Sequence, residues 1–276
     1  MQSCRRNDLP IGVFDSGVGG LSVLKNLVKV LPSEKFLYLG DTARVPYGNR
    51  SPDTIIRYSK EACSFLVKKG IKVLVIACNT VSAVASSLLK VEFDIPVIGV
   101  IESTSKQAVK KSRSGRIGVI GTRRTILSGA YRQSITLADS RCEVFGNPAP
   151  LLVPLAEEGI TQGEIVSRIL DVYLTTLLDK DIDVLILGCT HYEVFTPAIE
   201  DFIASRIEKR VEVVDSSTCV AETTKNFLIE REMLNQNFKM GENIEIFVTD
   251  DPENLLRVGG FFFGSNVLPE VHLIKL

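Results

Sequence analysis

The chain alternates between short apolar runs and longer segments in which apolar residues recur with a helical period. Runs bounded by Gly, Asp or Pro predict buried β-strands. They are IGVFD (11–15), KFLYLGD (35–41), KVLVIAC (72–78), PVIGV (96–100), RIGVIG (116–121), DVLILGC (183–189), VEVVD (211–215) and IEIFVTD (244–250). Helices are predicted over GLSVLKNLVKVL (20–31), SPDTIIRYSKEACSFLVKKG (51–70), GEIVSRILDVYLTTLLDK (163–180) and STCVAETTKNFLIERE (217–232). Wholly apolar strands that alternate with helices predict an α/β fold with parallel sheets covered on both faces.

Two pairs of segments resemble one another at nearly the same spacing. VLVIACNT (73–80) aligns with VLILGCTH (184–191) at an offset of 111 residues, and IGVFDSG (11–17) aligns with IGVIGTR (117–123) at an offset of 106. The repeat predicts two similar parallel-sheet α/β domains related by pseudo-twofold symmetry, with the active site in the cleft between them.

The end of the chain does not fit into the second copy of this repeat. After the VEVVD run, a helical segment and the last strand-like run IEIFVTD follow, and we expect them to pack back on the first unit. The first domain is therefore predicted to be discontinuous, with residues 1–100 plus 215–276. The second domain is predicted to contain residues 101–214.

Cys78 and Cys189 occupy equivalent positions in the two copies, at the carboxyl ends of predicted strands. Ligands of open parallel sheets bind at these ends, so the two thiols are expected to face one cleft from opposite sides. Each could instead be a small buried hydrophobe, because free Cys is among the most buried residues. Two opposed thiols suit a reaction that removes a proton from one face of a carbon and delivers one to the other. A thiolate base would need a lowered pKa, which a helix N-terminus or an adjacent cation can supply.

Charge and cysteine usage narrow the class of protein. The 276 residues include 32 Lys and Arg and 33 Asp and Glu, so no strong field favours nucleic acid or a membrane surface, and a small-molecule substrate is expected. The start of the chain has no apolar stretch typical of a signal peptide, which predicts a cytoplasmic protein.

Six cysteines are scattered along the chain, which predicts reduced thiols and not disulfides. Without a CxxC pair, and with His191 and His272 as the two histidines, no metal site is expected.

The segment DSGVGGLS (15–22) follows the first strand, and its glycines allow a tight turn that brings backbone close to a ligand. A dinucleotide site is disfavoured because Ser22 stands at the third glycine position and Asp15 would meet the pyrophosphate. A structural turn and an amino-acid site stay open as interpretations.

Several small polar residues follow the other strands. They can cap helices or bind a ligand, and the two roles are compatible; they are Asn79, Thr80, Thr122 and Thr190. The loop RVPYGNRSP (44–52) leads into a helix, with Ser51 as its N-cap, and is either an ordinary connection or a binding loop. His191 either polarises Cys189 and orients a substrate or is simply packed.

The blocks IGVFDSGVGGLSVL, ARVPYGNRS, ACNTVSA, IGT, LAEEG, GCTHY and VTDDPENL…FFFG follow one another along nearly the whole chain. In this order the sequence resembles the bacterial glutamate racemases of the aspartate/glutamate racemase superfamily. The resemblance implies interconversion of L- and D-glutamate without a cofactor, to supply D-glutamate for peptidoglycan precursors. It also implies a homodimer.

The resemblance assigns roles to individual residues. Cys78 and Cys189 are implied to be the acid/base catalysts, while Asp15 and Ser16 contact the substrate amino group and Asp15 also tunes Cys78. His191 and Glu157 are implied to support Cys189, with Glu158 as the adjacent alternative. The substrate carboxylates are implied to be held by Tyr47, Gly48, Asn79, Thr80, Thr122 and Thr190.

Two positions depart from the family pattern: Glu193 stands where Pro is usual, and Ala149 where many members have Cys. Neither is an implied catalytic position, but Glu193 could change the entry to the helix after Cys189. Three alternatives remain: an aspartate or related amino-acid racemase, a non-catalytic two-lobed amino-acid-binding protein, and a hydrolase with one nucleophilic thiol.

Overall fold

The computed structural model describes residues 6–235, 244–264 and 270–276. The strands are β1 (Ile11–Asp15), β2 (Phe36–Gly40), β3 (Val73–Ile76), β4 (Val97–Gly99), β5 (Arg116–Gly121), β6 (Glu143–Pro148), β7 (Val184–Gly188), β8 (Glu212–Asp215), β9 (Ile244–Val248) and β10 (Val271–Leu273). The helices are α1 (Leu21–Val30), α2 (Pro52–Lys68), α3 (Asn79–Glu92), α4 (Val100–Lys111), α5 (Arg123–Leu127), α6 (Ala130–Ala138), α7 (Leu152–Glu157), α8 (Glu164–Leu178), α9 (Thr196–Arg206), α10 (Ser216–Glu230) and α11 (Pro252–Phe263). Short 3-10 turns cover Arg6–Asp8, Thr42–Arg44, Tyr47–Asn49 and Thr190–Phe195.

Within these residues the strands form two sheets, and every pair of neighbouring strands is parallel. The first has the order β10-β9-β2-β1-β3-β4 and the second the order β6-β5-β7-β8. Each residue of β1, β2, β3 and β7 is buried, as expected for strands covered on both faces. The predicted α/β class with two parallel-sheet domains is confirmed.

The internal repeat is present in the pairing of the strands. β1 lies between β2 and β3 in the first sheet, and β5 lies between β6 and β7 in the second. Ile11 pairs with Val73, and the equivalent Ile117 pairs with Val184. The two sequence offsets therefore correspond to one structural register, and Cys78 and Cys189 follow equivalent central strands.

The chain leaves the first sheet after β4 and returns to it with β9, which pairs with β2. The domain boundaries next to residues 100 and 214 stay a prediction. Two strands were not predicted: β6, in which Val144 is the one buried residue, and the three-residue β10. Both lie at sheet edges, where one side of a strand needs no apolar cover.

The predicted helices over residues 20–31, 51–70, 163–180 and 217–232 are confirmed as α1, α2, α8 and α10 within a few residues at each end. Ser51 caps α2 as predicted, because its hydroxyl accepts the N–H of Thr54 and Pro52 occupies the first turn. None of the helices in the described part of the chain has the length and apolar character needed to cross a bilayer.

Candidate active site

A cavity of about 450 Å³ is lined by residues that follow β1, β3, β5 and β7, two strands from each sheet. Both Cys78 and Cys189 line it. Of the residues singled out in the sequence, the structure brings together Ser16, Tyr47, Gly48, Cys78, Asn79, Thr80, Thr122, Glu157, Cys189, Thr190 and His191 on its wall. Asp15 lies directly behind this wall and is 1% exposed.

Cys78 immediately precedes α3, and the hydroxyl of Ser16 lies 3.2 Å from its Sγ atom. Burial raises the pKa of the Cys78 thiol to about 12, and the negative charge of Asp15 acts in the same direction. The contacts with Ser16 and with the backbone N–H of Val81 act in the opposite direction but are outweighed. The N-terminus of α3 alone therefore does not supply the lowered pKa that a thiolate base at Cys78 would need.

Asp15 ends β1, and its Oδ2 atom accepts the backbone N–H of Gly17 at 2.9 Å. Burial raises the pKa of this carboxyl, while the charge of His191 and the Gly17 N–H oppose the change. Asp15 thus places a carboxyl group close to Cys78 behind the cavity wall, where the charge of a cationic ligand in the cavity would stabilise its carboxylate form.

Cys189 has different neighbours. Its Sγ atom lies 3.8 Å from Nδ1 of His191, and Nε2 of His191 lies 3.0 Å from Oε1 of Glu157. Burial lowers the pKa of His191, but the hydrogen bonds and charges of Cys189 and Glu157 outweigh burial and raise this pKa to about 10. These contacts favour the cationic imidazole. Of the two adjacent carboxylates, Glu157 and not Glu158 makes this contact.

Hydroxyl and amide groups from both sheets meet on one side of the cavity. The Oγ1 atoms of Thr80 and Thr122 are 3.0 Å apart, and Thr122 also caps α5 by accepting the N–H of Thr125. The side chain of Asn79 donates to Ser216 and accepts from the hydroxyl of Tyr131. Capping and cavity lining are thus combined at Thr122.

The Tyr47 loop is a wall of the cavity, and Tyr47 is 1% exposed. Its hydroxyl donates to Oδ2 of Asp41, which also accepts Nε–H of Arg44 at 2.6 Å. Because Asp41 accepts the hydrogen of this hydroxyl, the hydroxyl is not free to donate to a ligand. Gly48 is needed for close packing, since an added Cβ atom would lie 2.8 Å from Cβ of Thr122.

The glycine turn after β1 touches the Cys189 side of the cavity. A Cβ atom at Gly19 would lie 2.5 Å from both Nδ1 of His191 and Oγ1 of Thr190. The glycine is therefore required where backbone after the first strand approaches side chains of the other sheet. This close approach explains the turn without a bound phosphate.

Sequence reasoning missed the apolar part of the cavity wall. It is formed by Val45, Pro46, Pro150, Leu151, Val153 and Pro154. These side chains carry no chemical signature, and only their place in the Tyr47 loop, just before α7 or in α7 brings them to the cavity. Among the described residues, no group of three or more His, Cys, Asp or Glu is arranged to hold a metal ion.

The two departures from the family pattern lie behind the Cys189 side. Ala149 is fully buried, and its carbonyl accepts the hydroxyl of Tyr192 at 2.7 Å. Glu193 belongs to the turn that follows Cys189, and its side chain contacts Ser217.

Comparison with known proteins gives concordant matches along the chain. The family described as Asp/Glu/Hydantoin racemase matches residues 11–224. A glutamate racemase of Geobacter metallireducens is 46% identical over 266 residues, which cover 96% of each protein. A glutamate racemase of Aquifex aeolicus is 45% identical over 263 residues, with 95% of this chain and 97% of the relative covered.

Solved structures agree with the sequence matches. The crystal structure of a glutamate racemase from Francisella tularensis in complex with D-glutamate superposes with a TM-score of 0.90 at 35% identity. The match covers 98% of both chains.

Proposed function

This chain belongs to the Asp/Glu/hydantoin racemase family, and on that premise we propose that it interconverts L- and D-glutamate without a cofactor. The matched relatives are named glutamate racemases, and one similar structure holds D-glutamate. The observation that carries the proposal is the presence of Cys78 and Cys189 in one cavity, after equivalent strands of two different sheets.

Two thiols are sufficient for the two proton transfers of racemisation. One sulfur, as the thiolate, takes the proton from the α-carbon and becomes a thiol. The other, as the thiol, delivers its proton to the opposite face of the carbanion and becomes a thiolate. The net result is inversion of the α-carbon with one proton exchanged, and the reverse reaction uses the same groups in exchanged roles.

The groups around the cavity give each thiol its own support. Asp15 and Ser16 are proposed to bind the substrate amino group, whose positive charge offsets the carboxylate that raises the pKa of Cys78. On the other side, the cationic His191, held by Glu157, stabilises negative charge on Cys189 whenever that sulfur gives up its proton.

The substrate carboxylates are proposed to bind where uncharged donors meet. Hydroxyls, side-chain amides and backbone N–H groups placed there stabilise negative charge without moving, which favours the carbanion. The residues proposed for this role are Tyr47 and Gly48 through their backbone, together with Asn79, Thr80, Thr122 and Thr190. The apolar wall keeps water out of the same space.

The wider setting follows from this activity. We propose that the product D-glutamate supplies peptidoglycan synthesis and that the protein works in the cytoplasm as a homodimer. The boundary segments near residues 100 and 214 are proposed to be hinges that close the two domains over the substrate.

The test is incubation of the purified protein with L-glutamate in D₂O without added cofactor, followed by chiral chromatography and mass spectrometry. We expect D-glutamate that carries deuterium at the α-carbon. L-aspartate in a parallel reaction measures the choice of substrate. Complete retention of the original α-hydrogen in the product, or no product from glutamate, would overturn the proposal.

A further inference from the structure

The hydroxyl of Ser217 is the meeting point of three polar side chains behind the cavity. Its Oγ atom lies 2.5 Å from Oε2 of Glu193, 2.7 Å from Oδ1 of Asp215 and 2.9 Å from Nδ2 of Asn26. Ser217 is 1% exposed, so its hydroxyl is shielded from water, while Glu193 and Asp215 are partly buried.

Counting protons shows that these contacts require an additional donor. A serine hydroxyl has one hydrogen to give, and the Asn26 amide donates to it without accepting. Both separations lie within hydrogen-bonding distance, and the contact with Glu193 is shorter than usual, so each of the two carboxyl oxygens needs a hydrogen between it and Ser217. One hydrogen comes from Ser217, and the other must belong to a carboxyl group.

The geometry identifies Glu193 as the group that holds this hydrogen. Oδ1 of Asp215 already accepts the backbone N–H of Thr218 at 2.7 Å, as the N-cap of α10, and therefore acts as an acceptor. A protonated Glu193 donates to Ser217, which in turn donates to Asp215. In agreement, burial and the charge of Asp215 raise the pKa of Glu193, against the opposing effects of Ser217 and Lys25.

Glu193 is placed where this hydrogen bond can act on the thiol. It lies in the 3-10 turn Thr190–Phe195, which immediately follows Cys189. Ser217 belongs to α10 and Asn26 to α1, and these two helices pack against each other. The hydrogen bond therefore fixes the turn after β7 to a pair of helices, one of which follows β1 of the other sheet.

We propose that Glu193 is a positioning residue that, in its protonated form, fastens the Cys189 turn to Ser217 and so fixes the place of Cys189 opposite Cys78. The inference rests on the proposed racemase function. Glu193 does not line the cavity in the described part of the chain, so it acts through the turn and has no contact with substrate.

The kinetic test compares Glu193→Gln, Glu193→Leu and, as a matched control, Glu200→Leu on the exposed surface of α9. Gln can donate to Ser217 as the protonated acid does, so most of the activity should remain. Glu193→Leu should lower kcat by roughly 10-fold to 100-fold, because small displacements of reacting groups are costly, with little change in KM. Glu200→Leu should match the parent protein. If Glu193→Leu keeps the parent kcat, or raises KM alone, the positioning role is refuted.

Infrared spectroscopy tests the proton without using activity. The difference spectrum between the parent protein and Glu193→Gln should contain the carbonyl stretch of a protonated carboxylic acid at neutral pH. Absence of this band would refute the assignment even in an active enzyme.

If Glu193→Leu does not fold, Ser217→Ala removes the same hydrogen bond and should lower kcat similarly. An unchanged kcat in Ser217→Ala would refute the positioning role. A parent protein that shows the band but does not racemise glutamate would refute the proposed function and the positioning role, and leave the protonated Glu193 standing.

Discussion

The two thiols lie in the same cavity but in opposite electrostatic surroundings. Cys78 has a buried carboxylate, Asp15, as its charged neighbour, and its pKa is raised to about 12. Cys189 faces His191, whose contact with Glu157 helps to keep the imidazole cationic up to a pKa of about 10. The repeated sheets therefore support unlike halves of a site: one places a buried carboxyl group beside its thiol, and the other places an imidazole beside its thiol.

This difference teaches how a symmetric reaction can use an asymmetric site. The Cys78 half contains a buried carboxyl group whose charge a cationic ligand would offset, in addition to the charge of His191 and the N–H of Gly17, whereas the Cys189 half has His191 in direct contact with its thiol. In our proposal the substrate amino group completes the Cys78 half on binding. Each of the following experiments changes one side of that comparison.

The largest effect is expected from removing either thiol. Cys78→Ala and Cys189→Ala should each lower kcat by about 10²-fold to 10⁴-fold, the contribution of one acid/base group. Chiral chromatography of D-glutamate formed from L-glutamate measures the loss. Cys142→Ala is the control, because this partly exposed thiol lies outside the cavity wall and should leave kcat unchanged. Full activity in either cavity variant would eliminate the two-thiol mechanism.

Asp15→Asn should act first on the Cys78 half, although Asp15 also interacts with the charge of His191. Removing the negative charge lowers the pKa of Cys78, while the loss of the proposed partner of the amino group lowers kcat/KM by roughly 10-fold to 100-fold. The pH dependence of alkylation at Cys78, followed by peptide mass spectrometry, reports that pKa. Alkylation that begins at the same pH as in the parent protein would show that Asp15 has no influence on the thiol.

The smallest effect at neutral pH is expected from Glu157→Gln, which changes the Cys189 half. His191 is cationic below its raised pKa, so its support is present at neutral pH and is lost as the pH rises through about 10. Without the carboxylate of Glu157 this pKa falls, and the alkaline decline of kcat should move to lower pH. Glu158→Gln is the matched control and should keep the parent profile. Identical profiles for both variants would contradict a role of Glu157 through His191.

Much of the fold was predictable because its central strands are buried on both faces. β1, β3 and β7 are uninterrupted apolar runs, and their repeat along the chain revealed the pair Cys78 and Cys189. β6 was missed because an edge strand needs little apolar sequence, and in Glu143–Pro148 only Val144 is buried. A strand that is apolar along its whole length is therefore expected at the centre of a parallel sheet, whereas an edge strand can escape prediction.

The candidate site was predictable where a residue type carries chemistry, as for His191 beside Cys189. It was not predictable where proximity decides the outcome. The pKa of Cys78 is raised because the thiol is buried, and no local sequence pattern reports that burial. In the same way, no local pattern shows that the hydroxyl of Tyr47 donates to Asp41. The close approach of Gly19 to Thr190 and His191 likewise exists only after the turn that follows β1 packs against the turn that follows β7.

The order of strands in the first sheet has a consequence for biosynthesis. β9 pairs with β2 and is translated after all the strands of the second sheet. A ribosome that has made residues up to 235 has therefore supplied the whole sheet behind Cys189, while β2 still has an open edge on the Cys78 side. The sheet behind Cys189 can form during translation, whereas the sheet behind Cys78 is finished only when the last segment emerges, and that segment also brings Phe262 against the ring of His191.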